Sequence, residues 1–259
     1  MSAKMMNAIG VKGVFRMIIY AHRGARGYAP ENTMAAFKKA LALKADGIEL
    51  DVHTTKDGQL VVCHDHNIDR TSNGSGWIRD FTLSELKAFD FGKWFDEKYR
   101  GEQILSFEEF FLWYVKTPLL LNIEIKNGPV VYQGIEKELV TTIKSLAPAG
   151  FNIYDRILIS SFYHPSLYKI KELDSKFKTG VLYDSRPMNV LEQVKAINAD
   201  YLHPHWHYLD RETIEAAQEL GIGVNCYTIN TEEEFKFISE FPLTGIFSDY
   251  PDRWLRRNI

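Results

Sequence analysis

The sequence predicts an α/β fold, a closed (β/α)8 TIM barrel with an insertion between the second strand and its following helix. Three observations carry that prediction. From Met17 onward, short apolar runs alternate with amphipathic helical stretches. Such alternation builds a parallel sheet with right-handed crossovers. The runs number eight in a chain of 259 residues, and a closed barrel of this kind takes roughly 250. Neither a GxGxxG nor a Walker loop occurs, which disfavours an open nucleotide-binding sheet.

The first strand is Met17–Ala21, ending abruptly in His22-Arg23-Gly24. A glycine-containing loop leads to Pro30, and residues 32–45 place Met34, Phe37 and Leu41 on one helical face. Gly47–Val52 alternates apolar residues with two acids, as a strand does. Asp57-Gly58 is a hairpin signal between the β-like runs His53–Lys56 and Gln59–Cys63. Residues 67–103 are rich in turn formers, with a capping box at Thr82–Glu85 opening one short helix. The rhythm resumes at Ser106 with a helix, whose aromatic run Phe107, Phe110, Phe111, Trp113 and Tyr114 reads as its packed side. Strands are then expected at 119–125, 156–162, 178–183, 200–203, 223–228 and 245–248. Helices are expected at 130–146, 165–173, 187–197, 211–220 and 231–239, and residues 250–257 close the chain. The pattern divides the chain into a tail, 1–16, and a single domain, 17–259, with an insertion at about 53–105.

The chain is 45% hydrophobic and 25% charged, as a globular protein is. Its core needs no staple at this length, and Cys63 and Cys226, both in apolar runs, read as reduced core residues. A net charge of −3 gives no footprint for nucleic acid or for an anionic membrane. No apolar stretch reaches the roughly 18 residues that span a bilayer, so no stable membrane insertion is expected. The first sixteen residues lack an apolar core and a cleavage site, which leaves a cytoplasmic protein as the expectation. Oligomeric state is not legible.

In such a barrel the site lies at the C-terminal ends of the strands. Strand one ends in His22 and Arg23, strand two in Glu49 and Asp51, and strand three in Glu124 and Lys126. Period-two geometry puts each same-strand pair on one face. His64-Asp65 ends the second hairpin arm and is placed to fold back over the mouth. Three carboxylates at one barrel end repel each other unless something positive lies between them. One divalent cation with oxygen ligands, Mg2+ or Ca2+, is the natural occupant, and with Arg23 and Lys126 beside it the set suits a small-molecule phosphodiester. The alternative is that the acids form ordinary ion pairs with Arg23 and Lys126. Two histidines at the same mouth suggest the paired acid and base that phosphodiester cleavage needs, with the metal polarising a phosphoryl oxygen. His203, His205 and His207 alternate as a transition-metal site would, but Pro204 is expected to interrupt the strand. They are expected as loop histidines, with His203 or His205 lining the pocket as the alternative.

HRG at 22–24, PENT at 30–33, ELD at 49–51, DGQLVVCHD at 57–65 and NIEIK at 122–126 together resemble the glycerophosphodiester phosphodiesterase family. ISSF at 159–162, YTIN at 227–230 and GIFSDYP at 245–251 are similar to it too. The resemblance spans Met17 to about Trp254 and implies a TIM barrel with its insertion after strand two. It implies Glu49, Asp51 and Glu124 as metal ligands, His22 and His64 as the acid–base pair, and Arg23 and Lys126 as phosphate contacts. The implied reaction yields an alcohol and sn-glycerol 3-phosphate, by attack of the glycerol 2-hydroxyl through a cyclic phosphate or by direct attack of water. The family often has Trp where this chain has Tyr227. It commonly has another residue in place of His53, here expected as a partly exposed hairpin histidine. Two other activities fit the same pattern less well. A lysophospholipase D would need an apolar channel, for which Trp77, Phe81, Phe91, Trp94 and Phe95 are candidates. An inactive phosphoester-binding barrel would be expected to lack one of the acids or histidines, and none is missing.

Overall fold

In the computed structural model residues 16–255 are described. The expected tail therefore lies outside the described residues apart from Arg16, whose guanidinium pairs with Asp46 at 2.7 Å. Ten strands form one sheet: β1 (Ile18–Ala21), β2 (Gly47–Thr54), β3 (Leu60–Val62), β4 (Leu105–Ser106), β5 (Leu120–Ile125), β6 (Ile157–Ser161), β7 (Lys178–Tyr183), β8 (Tyr201–Pro204), β9 (Gly223–Cys226) and β10 (Gly245–Ser248). All but β3 and β4 run parallel, and β1 pairs with both β2 and β10, which closes an eight-stranded barrel. Nine α-helices are described: α1 (Met34–Ala42), α2 (Leu83–Leu86), α3 (Phe107–Tyr114), α4 (Ile135–Leu146), α5 (Ile153–Arg156), α6 (His164–Leu173), α7 (Val190–Ile197), α8 (Arg211–Glu219) and α9 (Glu232–Ile238).

The expected strand 47–52 and the start of the first expected hairpin arm form one strand, β2, which continues past the barrel rim to Thr54. Its last three residues pair antiparallel with β3 across Asp57-Gly58, as the hairpin signal predicts, and β3 pairs with β4. This arm and the loops up to residue 104 leave the barrel before α3, where the insertion is expected. They bury a small core of their own, built from Ile68, Ile78, Leu86, Phe91 and Ile104. The capping boxes at Thr82, Ser106 and Thr231 all form, each side-chain oxygen accepting from the N3 backbone. Each satisfies a donor that the helix start would otherwise leave unpaired.

Further boundaries depart from the sequence reading. α4 starts five residues later than expected, because Asn127 Oδ1 accepts from the Tyr132 N–H at 2.8 Å and holds the intervening stretch as a loop. β6 is preceded by the one-turn α5, capped by the Asn152 side chain. Pro204 does not interrupt β8 but ends it. Its carbonyl accepts from Tyr227 N–H at 3.2 Å and the next amide, His205, donates to Tyr183 at 3.1 Å, so only the missing proline donor is lost.

The main core lies between the barrel and the helices. Phe37 of α1 and Phe107, Phe110, Phe111 and Tyr114 of α3 are fully buried, so the aromatic run is indeed the packed side of its helix. Cys63 and Cys226 are buried and unpaired, as expected of small core residues.

Candidate active site

The eight parallel strands deliver their C-terminal ends to one mouth, and β1, β2 and β5 bring most of the predicted residues there. β1 hands the chain to His22, whose amide continues the ladder by donating to Ser248 at 2.9 Å. Arg23 then adopts a left-handed conformation, φ +53. That turn costs of order 1 kcal/mol outside glycine. It aims the Arg23 N–H at Glu49 Oε2, 2.7 Å away. Gly24 continues the turn at φ +77, and a side chain there would meet Ala36 of α1 at 2.7 Å. Glycine is therefore what lets the helix pack under the loop.

Glu49 and Asp51 stand two residues apart on β2, and the β2–β5 register sets Glu124 beside Asp51. All three are buried, and one carboxylate oxygen from each lies within 4.8 Å of the others. Lys126 Nζ is 2.7 Å from Glu124 and 3.7 Å from Asp51. Arg23 Nη1 donates to Glu31 at 2.9 Å while its Nε lies 3.7 Å from Asp51. Both cations are thus at the cluster, acting as counter-ions to the acids. Burial, with Asp51 and Glu124 beside it, pushes the Glu49 carboxyl well above the usual carboxylate range. Burial would raise Asp51 too, but His64, Lys126, Arg23 and a 2.8 Å hydrogen bond from Asn32 together hold it well below that range. Burial and the repulsion among the three acids push Glu49 toward its protonated form despite the two cations, and Asp51 Oδ1 is buried with no hydrogen-bond partner. Both facts fit a set of oxygen donors built for a hard divalent ion.

Each predicted histidine is backed by a carboxylate. His22 Nδ1 donates to Asp249 Oδ1 at 2.7 Å, and Asn230 Nδ2 donates to the other Asp249 oxygen at 3.0 Å. His64 Nδ1 donates to Asp65 Oδ1 at 2.6 Å, with Arg70 Nε on the other Asp65 oxygen at 2.7 Å. Carboxylates only accept, so both rings carry hydrogen on Nδ1. Burial and the Arg23 charge outweigh Asp249 and bring His22 down to about 4. Arg70 also forks onto Glu31 at 2.7 and 2.9 Å. Burial would raise Glu31, but Arg70 and Arg23 hold it down to about 2. Glu31 thus joins the loop carrying His22 to the loop carrying His64.

His22, Arg23, Glu49, His64 and Glu124 line one cavity of about 210 Å³, to which Phe162, Leu182, Tyr227 and Phe247 add aromatic and apolar surface. His203 and His205 line it too, while His207 is exposed. His203 is fully buried on β8, its ring lying where a side chain on Gly180 would stand, so the loop placement is corrected for it. His53 is also fully buried rather than partly exposed, because β2 runs on and packs it under Tyr132. Of the five insertion aromatics offered for a lipid channel, none lines this cavity; Phe81 and Phe91 are taken up by the insertion's own core.

Asp249 and Arg70 were not singled out from the sequence; Glu31 and Asn32, which the PENT segment offers as fixing the loop that holds His22, do so through the bonds of Glu31 to Arg23 and of the Asn32 amide to the Arg23 carbonyl. The signals were present: Asp249 stands in GIFSDYP, Glu31 and Asn32 in PENT, and Arg70 follows the HD pair by five residues.

Comparison with known proteins gives a consistent picture. Residues 22–253 match the model of the glycerophosphoryl diester phosphodiesterase family. A glycerophosphodiester phosphodiesterase of Caldanaerobacter subterraneus subsp. tengcongensis is 40% identical over 237 residues, covering 92% of this chain and 96% of that relative. A glycerophosphodiester phosphodiesterase of Bacillus altitudinis is 38% identical, covering 91% and 95%. Among solved structures, an Oleispira antarctica phosphodiesterase in complex with the product sn-glycerol-3-phosphate superimposes with a TM-score of 0.83 at 30% identity, covering 91% of this chain and 94% of that one.

Proposed function

The chain belongs to the glycerophosphoryl diester phosphodiesterase family, and from that premise we propose how its mouth hydrolyses a glycerophosphodiester to an alcohol and sn-glycerol 3-phosphate. The observation that carries the reading is that two carboxylate-backed histidines line one cavity with Glu49 and Glu124, whose carboxylates cluster with that of Asp51.

His22 is the base. Its Nδ1–H is held by Asp249, and burial with the Arg23 charge keeps the ring neutral at pH 7, so Nε2 offers a lone pair to the attacking hydroxyl. His64 is the acid. Asp65 takes its Nδ1–H and orients the ring, leaving Nε2 to deliver a proton to the departing alcohol. The attacking oxygen bonds to phosphorus as the bond between phosphorus and the alcohol breaks, and the alcohol leaves with the proton from His64. With water as the attacking group, sn-glycerol 3-phosphate remains; with the glycerol 2-hydroxyl, a cyclic phosphate remains, which water opens to sn-glycerol 3-phosphate with the two rings exchanging roles. Arg23 and Lys126 hold the phosphoryl oxygens, exchanging part of their contact with the acids for contact with substrate. Glu49, Asp51 and Glu124 would hold one divalent cation, supported by the orphaned Asp51 oxygen and the proton-seeking Glu49. When bound, such an ion supplies Lewis-acid polarisation of a phosphoryl oxygen. Mg2+ or Ca2+ suits an all-carboxylate set.

The proposal extends to the whole chain. Residues 17–259 act as one catalytic domain, with about 53–105 as its insertion. The substrate is a small molecule. Among the described residues no helix is long and apolar enough to cross a membrane. A cytoplasmic setting is supported by two free, buried cysteines. The test is release of sn-glycerol 3-phosphate from glycerophosphocholine by wild type, His22→Ala and His64→Ala. Each substitution is expected to lower kcat by at least about 100-fold; full activity in either would overturn its role.

A further inference from the structure

Beside the main chain of His64 three rings meet, those of His53, His66 and Tyr132. His53 of β2 places Nε2 3.1 Å from the main-chain carbonyl oxygen of His64 and Nδ1 3.0 Å from the Tyr132 hydroxyl. A carbonyl only accepts, so Nε2 carries the hydrogen and donates. With no carboxylate in contact, the buried ring is neutral, and Nδ1 accepts the Tyr132 O–H. His66 closes the group: its Nε2 donates to the Gly128 carbonyl at 3.0 Å, and its ring meets His53 edge-on with centroids 4.8 Å apart. Tyr132 is fixed in turn. Its N–H donates to Asn127, whose amide donates to Ser166 at 2.8 Å.

These contacts tie an irregular stretch to β2 and to the loop ahead of α4 that Asn127 holds in place. Residues 63–66 follow β3 without regular structure, and His64 is about one-third exposed there. The ring is oriented by Asp65. At the main chain, the bond from His53 fixes the His64 carbonyl against β2, a strand that also carries Glu49 and Asp51. We propose that His53, buttressed by Tyr132, is a positioning residue that holds His64 at the distance from the acid cluster that proton delivery requires. This rests on the reading of His64 as the acid. A displacement of about 1 Å at such a group costs on the order of 100-fold in rate.

The test uses the full chain with three substitutions. His53→Phe keeps the ring volume and removes the donor; His53→Gln keeps an N–H donor near the Nε2 position; Tyr132→Phe removes the buttressing hydroxyl alone. Two quantities are read, steady-state kcat and KM on glycerophosphocholine, and amide-hydrogen exchange over residues 63–68. For His53→Phe, kcat is expected to fall by about 10- to 100-fold with KM within about twofold, and exchange over 63–68 to accelerate. His53→Gln is expected to restore kcat to within a few-fold of wild type and to restore protection. Wild-type kcat in folded His53→Phe overturns the proposal, as does His53→Gln falling as far as His53→Phe, which would mark ring volume as what matters. If His53→Phe fails to fold, Tyr132→Phe decides: a several-fold loss of kcat supports the role and an unchanged kcat with unchanged exchange overturns it. Wild-type protein inactive on this substrate would sink the reading of the mouth itself, while unchanged exchange in His53→Phe would still sink the positioning role separately.

Discussion

At the scale of single residues, the chemistry depends on what stands behind each working group. His22 and Asp249 are 227 positions apart in sequence and 2.7 Å apart in space. That explains what the sequence revealed and what it hid. His22, Glu49, Asp51, Glu124 and Lys126 were legible because strand ends and period-two spacing place them without knowledge of distant partners. Asp249, Arg70 and Tyr132 act only through contacts between loops, and no local pattern announces such a contact. Asp249→Asn is expected to keep the fold and lower kcat by roughly 100- to 10,000-fold, because it releases the His22 tautomer. Steady-state kinetics with a circular-dichroism control checks it; a loss below threefold would show that His22 does not need its carboxylate. The pH profile adds a second check. A base must be neutral to act, and His22 is brought down to about 4. The acidic limb of kcat/KM is therefore expected near pH 4, and a limb near the ordinary histidine value of about 6.5 would contradict it.

At the scale of elements, most strands and helices were legible because their periodicities and caps are local. The capping boxes at Thr82, Ser106 and Thr231 form where S/T-x-x-E spacing says they should. What was not legible was set by tertiary contacts. The hairpin at Asp57-Gly58 forms as its sequence says, but nothing local shows that its first arm is continuous with β2. α4 starts late because Asn127 captures the Tyr132 amide. Pro204 was read as a strand breaker because the sequence cannot tell that the residues around it still have partners on both sides. The aromatic seam between α1 and α3 gives a prediction at this scale. Phe110 is fully buried and packs on Phe37 with centroids 4.7 Å apart. Phe110→Ala is expected to destabilise by about 3–5 kcal/mol in urea unfolding, from lost burial and the cavity left behind. Exposed Trp77, in contrast, is expected to change stability by less than about 1 kcal/mol on replacement by Ala. Equal losses would mean that the insertion, and not the α1–α3 seam, anchors this side of the barrel.

At the scale of the whole molecule, the barrel buries polar groups along its bore and at its mouth, and this couples stability to pH. His203 is fully buried, and burial brings it down to about 3 from 6.5. Above about 6.5 the ring is neutral folded and unfolded, so its contribution is fully present. As pH falls from there toward 3, only the unfolded chain takes up the proton, and stability is lost across that window. Urea midpoints at pH 7 and pH 5 are expected to fall in that order, and the drop is expected to shrink in His203→Asn. An unchanged drop would remove His203 as its source. The eight-stranded closure also explains why residues as far apart as 22 and 249 share one mouth: β1 pairs with β10, so the first and last strands stand side by side. The central claim is that this mouth is a divalent-ion-dependent, acid–base phosphodiesterase. Its most direct test is sn-glycerol 3-phosphate release from glycerophosphocholine by protein dialysed against EDTA, before and after Mg2+ or Ca2+ is added back. The account predicts activity near background after chelation, restored by the ion in wild type and not in Glu49→Ala; full activity in the chelated protein would contradict it.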